Sequence, residues 1–474
     1  MKAKQKEAAE ASFKDAKVKI TTQGNRDLGA FIGTRVATRD YLAGKIERWA
    51  NQINLLAKIA KTHPHAAHAG YVHGLRGKWV FMQRTMAVAA EMLNSLEKEI
   101  NEKLIPAIFG LDSAVCKLDR DLFALPGRHS GMGIDNPGKS AAHHLRASQI
   151  LSNQHVHLIL NSQRELKLDE EKQKALKEQL KQEKEVALKA EYDRIYLATS
   201  RPMAKAMELA KEKGASALVT TFPIERHNLA FPRSRDFHDL LCLRYNKPVL
   251  NLPSQCVCGQ TYTVDHSQQC LNGGFIHQRH NEAQELFAFE CQRAGLKDIE
   301  LEPLLLPILG MELESKRAKR MDGARSDVRV RGFWGNQQHA FFEFRVFYSC
   351  AKSYSSLKPA ECYNRFESTR SAEYEERINK VDCGSFTPMV LSSSGGMGPR
   401  MSMALKHLAK ITAEKTNQAL SVTFALLRCR FVFCLLRSAL VCLRGSRSIQ
   451  RPKFSPASFD APTVLAASES RLKI

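Results

Sequence analysis

Four metal-competent side chains, Cys256, Cys258, His266 and Cys270, fall within one short stretch at the spacing C-x-C-x7-H-x3-C. Three thiolates and one imidazole are a full tetrahedral set for a structural zinc ion. So short a segment can bring them together only by turning sharply, and Gly259, Gly273 and Gly274 supply the turn positions. The pattern therefore expects a small metal-stapled module just past the middle of the chain, with larger elements on either side. C-x-C is a tighter bite than the usual C-x2-C. With twelve cysteines in 474 residues, some neighbours also arise without a metal, so spacing alone leaves both readings open.

The remaining composition describes what surrounds that module. A chain of 474 residues with 43% hydrophobic and 25% charged residues is globular and has room for two or three domains. A net charge of +22 favours a polyanionic partner, most simply nucleic acid. The N-terminal MKAKQKEAAEASFKDAKVK has no apolar core of a signal peptide. The most apolar run, Ala419 to Leu443, carries Arg428, Arg430 and Arg437 inside it, which a bilayer would not readily accept. The expectation is a nuclear or cytoplasmic protein, not secreted, without a membrane partner, whose cysteines are reduced thiols.

The fold class expected is α+β. Residues 1–160 read as a mostly helical region: Tyr41, Ile46, Trp49, Ile53, Leu56 and Ile59 recur at near-helical spacing, and a second run begins at Trp79 and is expected to stop at Pro106. Leu125 to Pro137 is a Gly- and Pro-rich loop, and its Gly131-x-Gly133 follows no strand that would make it a phosphate loop. Residues 161–200 hold a charged helix with a thin apolar stripe, from Arg164 onward, expected as a solvated linker or arm. Residues 201–250 are a Pro-broken connection, 251–275 the knuckle, 276–448 a second domain, and 449–474 a disordered tail. After the knuckle, HNEAQELFAFECQRAGL reads as a helix with Leu286, Phe289 and Cys291 turned partly inward, and IELEPLLLPILG as an extended run. SKRAKR, Ser315 to Arg320, is a basic cluster suited to phosphates or a nuclear address, or to a solvated loop.

Asp322 to Phe347 carries the chemistry. Val328 and Val330 alternate with Asp327, Arg329 and Arg331; Phe342, Phe344 and Val346 alternate with Glu343 and Arg345. Gly332 to Gln338 suits the turn between them. A hairpin centred on Gly335 sets Asp327 opposite Glu343, with Cβ atoms roughly 5 Å apart on one face. Two carboxylates so close repel unless a cation lies between them, and hard oxygen donors suit Mg²⁺ or Mn²⁺. Arg345 falls on the same face because strands repeat every two residues. An ordinary amphipathic hairpin with a solvated charged face explains the same pattern.

The stretch from Pro253 to Ser448 resembles the C-terminal restriction-like endonuclease region of non-LTR retrotransposon polyproteins. The residues that carry the resemblance are LPSQCVCG, TVDHSQQC, GGFIHQRHNE, DGARSDVRVRGFWG, AFFEFRVF, YEERINKVDCGSFTPMV, SSSGGMG and the arginine-studded run after Ala419. GNRDLGAFIG, PHAAHAGYVHG, KWVFMQRT and LPGRHSGMGI are similar to the reverse-transcriptase thumb and linker of the same elements. No Tyr-x-Asp-Asp signature occurs, so the polymerase palm is missing and the chain is expected to be a fragment that does not polymerise DNA.

The resemblance implies a restriction-endonuclease-like domain with a mixed sheet, a structural zinc at the knuckle, and a catalytic Mg²⁺ or Mn²⁺. On it, Asp327 and Glu343 bind the catalytic metal and Arg345 holds the scissile phosphate. Arg345 stands where the family has lysine, and Lys380 is a candidate replacement or a solvated helix end. Glu282 or Glu285 is a candidate third carboxylate. His280 contacts DNA or braces the knuckle. Arg430, Arg437 and Arg444 form a stripe for the nucleic-acid backbone. The expected partner is DNA, with element RNA as a second candidate. The function implied is a DNA-nicking nuclease; the alternative is a decayed, zinc-stapled binding fragment.

Overall fold

Thr34 begins the first long helix, α1 (Arg35–Ala60), by accepting the amide of Ala37 on its hydroxyl. In the computed structural model, which describes residues 3–16, 20–161, 169–231, 233–310, 312–354 and 356–447, α1 buries Leu42, Ile46, Trp49, Ile53, Ala57 and Ala60. Ile59, expected inward, is exposed, because the small Ala57 and Ala60 take the contact face. The expected tail 449–474 and the first residues of the charged run from Arg164 lie outside the described residues.

Trp49 meets Trp79, on α2 (Arg76–Thr85), with ring centroids 6.1 Å apart. The run that begins there does not stop at Pro106. It breaks at Met86–Ala89 and resumes, and Pro106 lies inside a continuous helical run, directly after a π-helical turn (Ile100–Leu104) whose bonds run five residues along, and the helix continues to Phe109. Gly110, left-handed at φ 67°, ends it. The region is not wholly helical: β1 (Gly24–Asp27) and β2 (Ala30–Gly33) form a hairpin whose turn, Leu28 and Gly29, has both φ values positive. GNRD and AFIG lack the alternation that marks a strand.

Helix α3 (Pro137–Leu160) and helix α4 (Glu170–Ala198) complete the region. The charged α4 is not a free arm. Leu180, Tyr192 and Ile195 are buried, Gln173 donates to the Leu151 carbonyl on α3 at 3.1 Å, and Arg194 reaches Asp121 at 2.7 Å. Its thin apolar stripe is enough to dock it. The Pro-broken segment likewise joins the same core, through the helix Arg201–Ala210 and α5 (Ser234–Arg244) with Phe237, Leu240 and Leu241.

The second core lies around a four-stranded mixed sheet. Helix α6 (Phe275–Ala294) precedes β3 (Lys297–Leu301), β4 (Val328–Arg331) and β5 (His339–Phe347), which pair antiparallel in that order. Helix α7 (Pro359–Lys380) then carries the chain to β6 (Ser385–Ser392), parallel to β5. A parallel neighbour needs such a crossover. Val328, Val330, Ala340, Phe342 and Phe344 face a core shared with α6 and with α8 (Pro399–Thr416). Phe341 and Phe347 face the other way, against α7. The residue of α6 that fills the sheet's centre is Phe287, fully buried against Phe342 at 4.7 Å, rather than Phe289.

Helix α9 (Leu420–Arg444) belongs to both cores. Val432, Phe433, Leu436 and Leu440 enter the helical core; Leu427, Phe431 and Leu435 enter the sheet core. A helix that is apolar on opposite faces has to lie between two partners. No helix among the described residues is long and apolar enough to cross a membrane.

Candidate functional site

The knuckle is built locally. Gln255 and Thr261 bridge, the Cys256 amide donates to the Gln260 carbonyl at 2.9 Å, and Gly259 turns the loop at φ +83°. Thr263 caps the short helix Val264–Ser267 through the His266 amide, and the Cys270 amide donates to the His266 carbonyl at 2.8 Å. The four donor atoms end within 4.8 Å of one another. Cys256 Sγ lies 3.8 Å from Cys270 Sγ, and Cys258 Sγ lies 3.3 Å from His266 Nε2. A tetrahedral zinc with Zn–S about 2.3 Å and Zn–N about 2.0 Å sets its sulfurs about 3.8 Å apart and a sulfur–nitrogen pair about 3.5 Å apart. These two pairs stand near those separations and the whole set lies within 4.8 Å, so the residues fit a metal such as zinc. Burial pushes the Cys256 thiol up, yet the Cys258 amide and the side chains of His266, Cys258 and Cys270 outweigh it and bring it down. Burial and the neighbouring Cys256 hold Cys270 up. The module is fastened to α9: Tyr262 donates to the Leu443 carbonyl at 2.7 Å and Gln268 to the Ala439 carbonyl at 2.9 Å.

The carboxylates are assembled by strand register. Val328 pairs with Phe342, and one further step along the ladder leads to Asp327 and Glu343. Gly332, at φ +76°, opens the turn, and its amide donates to the Gln338 carbonyl at 2.8 Å. Asp327 Oδ2 accepts the Phe344 amide at 2.5 Å, and its Oδ1 lies 3.2 Å from His280 Nε2. Glu343 is 5% exposed, and its Oε2 has no hydrogen-bond partner. Burial first, and Asp327 second, push the Glu343 carboxyl well up; Arg370, Tyr374 and Lys319 oppose this. Arg370 Nη1 is 3.7 Å from Glu343 Oε1. Burial lowers His280, but the hydrogen bond and charge of Asp327, with Glu343 behind it, outweigh burial and hold the imidazole above its ordinary value. The pair is thus a desolvated acidic centre ringed by cations and one imidazole.

Arg345 shares the Glu343 face of β5, with its guanidinium 5.3 Å from the Phe366 ring centroid on α7. Other expected site residues stand apart. Glu282 accepts from Gln278 at 2.9 Å and from the Ser438 hydroxyl on α9, so it does not join the pair. Glu285 bears on Cys434, also on α9. Lys380 is indeed a solvated helix end, bonded to Glu376 at 2.9 Å and Glu314 at 3.2 Å.

The arginine stripe of α9 does not face solvent. Arg430 pairs with the buried Glu290 and Arg437 donates to the carbonyls of Asn228 and Ala230. Arg444 makes two 2.7 Å bonds to Asp239. A seven-residue recurrence keeps them on one side of the helix, but the 201–250 segment and α6 cover that side.

Sequence reasoning missed Arg370 and Tyr374, and it took Lys319 only as one of the SKRAKR cluster without placing it beside Glu343. Lys319 stands with its ammonium 4.3 Å from the Tyr374 ring centroid and against its hydroxyl. The available signal was SKRAKR, one of whose cations turns inward while Lys316 and Arg317 remain exposed.

Among the described residues, the Cys3His set is the one group of three or more His, Cys, Asp and Glu donors close enough together to hold an ion; Asp327 and Glu343 remain a pair. A comparison with models of protein families finds no match, and a comparison with curated proteins finds none either.

Proposed function

We propose that residues from α6 to β6 form a divalent-metal-dependent DNA endonuclease of the restriction-like type, stapled by zinc at the knuckle and without polymerase activity. The observation that carries this reading is the buried Glu343 beside Asp327, a carboxylate oxygen with no hydrogen-bond partner next to a second acidic group. Desolvated carboxylates at such range are stable together only with a proton or a cation between them. Support comes also from the element order: a helix, an antiparallel three-strand run carrying both acids, a crossover helix and a parallel fourth strand.

Asp327 and Glu343 would hold Mg²⁺ or Mn²⁺, since both offer hard oxygen donors. When bound, the ion would supply Lewis acidity toward water and the phosphoryl oxygens. The chain's own residues do the rest. His280 and the Phe344 amide fix the Asp327 carboxylate from two sides. Arg370 and Lys319 present positive charge beside Glu343, where a phosphodiester would add negative charge. Arg345 is permanently protonated, so it orients and screens but takes no proton.

A second reading has its own support. The His280 contact, with Arg370 and Lys319 nearby, already neutralises part of the acidic centre, as a metal-free, decayed site would require. Supercoiled plasmid with Mg²⁺ or Mn²⁺ separates the two. The nuclease nicks it, and Asp327→Ala lowers the rate by about a hundredfold or more, the scale for loss of one group that stabilises developing charge, while DNA binding persists. Binding without nicking in the parent protein supports the decayed fragment.

A further inference from the structure

A cavity of about 580 Å³ lies between the start of α5, the segment that enters the knuckle and the end of α9. Its wall carries four guanidiniums, Arg233, Arg235, Arg444 and Arg447, against one carboxylate, Asp236. Arg235 and Arg444 meet at one oxygen: the Asn251 carbonyl accepts from Arg235 Nη2 at 3.5 Å and from Arg444 Nη1 at 2.8 Å. Asp239 answers the charge of Arg444 with two 2.7 Å bonds, and Asp236 answers Arg233 at 3.0 Å.

The other two charges are not answered. Arg235 is exposed and forms no ion pair among the described residues. Arg447 is half-buried and its partners are neutral: the Tyr262 hydroxyl at 2.6 Å, and the carbonyls of Ser267 at 3.1 Å, Gly445 at 3.5 Å and Cys442. Its guanidinium also lies 5.2 Å from the ring centroids of both Tyr262 and Phe275. Those contacts fix Arg447 beside the cavity, where a solvated arginine would turn away. Arg233 and Arg235 stand at the start of a helix, where positive charge is disfavoured. The cavity thus concentrates charge that the chain itself leaves unneutralised, and an anion would relieve it.

The size and the remaining wall narrow the choice of anion. The volume is in the range that holds a small molecule, and Pro253, Val257 and Leu443 give the cavity an apolar side. A bare inorganic ion would use the arginines and leave that side to water. A nucleotide uses both, with its phosphate on the guanidiniums and its sugar and base on the apolar side.

We propose that this cavity binds one nucleotide of a nucleic-acid strand through its phosphate, with Arg235 donating to that phosphate and Arg447 supplying fixed positive charge behind it. Arg444 belongs to the wall and is not a contact, in keeping with its pairing to Asp239. The inference goes beyond the nuclease reading and does not require it.

The test uses the full chain in an Asp327→Ala background, so that no probe is consumed by cleavage. Fluorescence anisotropy across a salt series measures binding of 3′-labelled single-stranded DNA with and without a 5′-phosphate. One phosphate contact contributes about 0.7 to the slope of log K against log salt for a single strand. Arg235→Gln is therefore expected to lower the slope by about 0.7 and to weaken binding about fourfold near physiological salt. Ser446→Trp puts an indole into the cavity wall and leaves every charge in place. It is expected to weaken binding at least as much, with the double variant no weaker than Ser446→Trp alone. Lys406→Gln, the same charge change on an exposed site of α8, is expected to alter neither slope nor affinity. A 5′-phosphate that strengthens binding to the parent but not to Arg235→Gln marks a terminal phosphate as the occupant. Equal binding of the two probes, both weakened in Arg235→Gln, marks a bridging one. Failure of the parent to bind either probe, an unchanged slope in Arg235→Gln, an equal loss in Lys406→Gln, or parent-like binding by Ser446→Trp would overturn the proposal.

Discussion

The Cys3His knuckle and the carboxylate pair both gather ionisable side chains across a turn, and they end in opposite states. In the knuckle three thiols and one imidazole stand within 4.8 Å of one another, and backbone bonds within the segment shape the loop that gathers them. At the hairpin two hard donors come together through a ladder that also needs α6 and α7, and His280, Arg370 and Lys319 partly neutralise them. The difference lies in what holds each set in place. A site closed within one short segment is prepared by sequence-local turns, whereas a site spread over three elements is balanced by whatever neighbours tertiary packing provides.

The largest expected effect comes from breaking the closed site. Chelating zinc, or Cys270→Ser, should remove several kcal/mol of folding free energy, because binding a structural zinc is coupled to folding. Hydrogen exchange should show loss of protection from the knuckle into the end of α9, where Tyr262 and Gln268 are fastened. The hairpin amides should stay protected if the two sites are independent.

Next in size is Arg444. If it were a nucleic-acid contact, Arg444→Ala would weaken DNA binding and leave stability alone. The structure instead pairs it with Asp239, which is 5% exposed. Removing one partner of a buried pair costs about 3–5 kcal/mol. Thermal or urea unfolding of Arg444→Ala should show that loss, and Asp239→Asn with Arg444→Met should recover much of it.

A smaller, pH-dependent effect sharpens the acidic side. Glu343 has a raised pKa in the folded chain, so the folded state holds its proton more strongly than the unfolded one. Stability is therefore lost as pH rises from the unfolded carboxyl value, about 4.3, through the folded value, and the full cost applies above that. Glu343→Gln should melt higher than the parent at pH 8.5, with the gain shrinking toward pH 5. Adding Mg²⁺ should raise the parent's melting temperature more at the higher pH and leave Glu343→Gln unmoved.

The smallest effect is expected at Lys380. It is an exposed helix end bonded to Glu376 and Glu314, so Lys380→Ala should leave plasmid nicking unchanged.

How much of this could be read from the sequence follows the same division. The knuckle was legible because its ligands are near in sequence and few folds satisfy them. The β4–β5 register was legible from the alternation around Val328 and Phe342 and from Gly332 and Gly335 between them. β6 was not read as a strand, and β3 only in part, as the start of the extended run from Ile299: Lys297–Leu301 is short and largely polar, and Ser385–Ser392 is almost wholly buried, so neither alternates cleanly. The arginines of α9 were misread because a helix wheel shows which residues share a side and not what covers it. Lys319 and Arg370 were invisible as a pair, because fifty intervening residues include both strands of the hairpin.

The central claim is that Asp327 and Glu343 together take a divalent cation. Mn²⁺ titrated into zinc-loaded protein and followed by electron paramagnetic resonance measures this directly. The account predicts a binding site in the parent that disappears both in Asp327→Asn and in Glu343→Gln, with zinc content unchanged. Equal Mn²⁺ binding in the parent and both variants would contradict it.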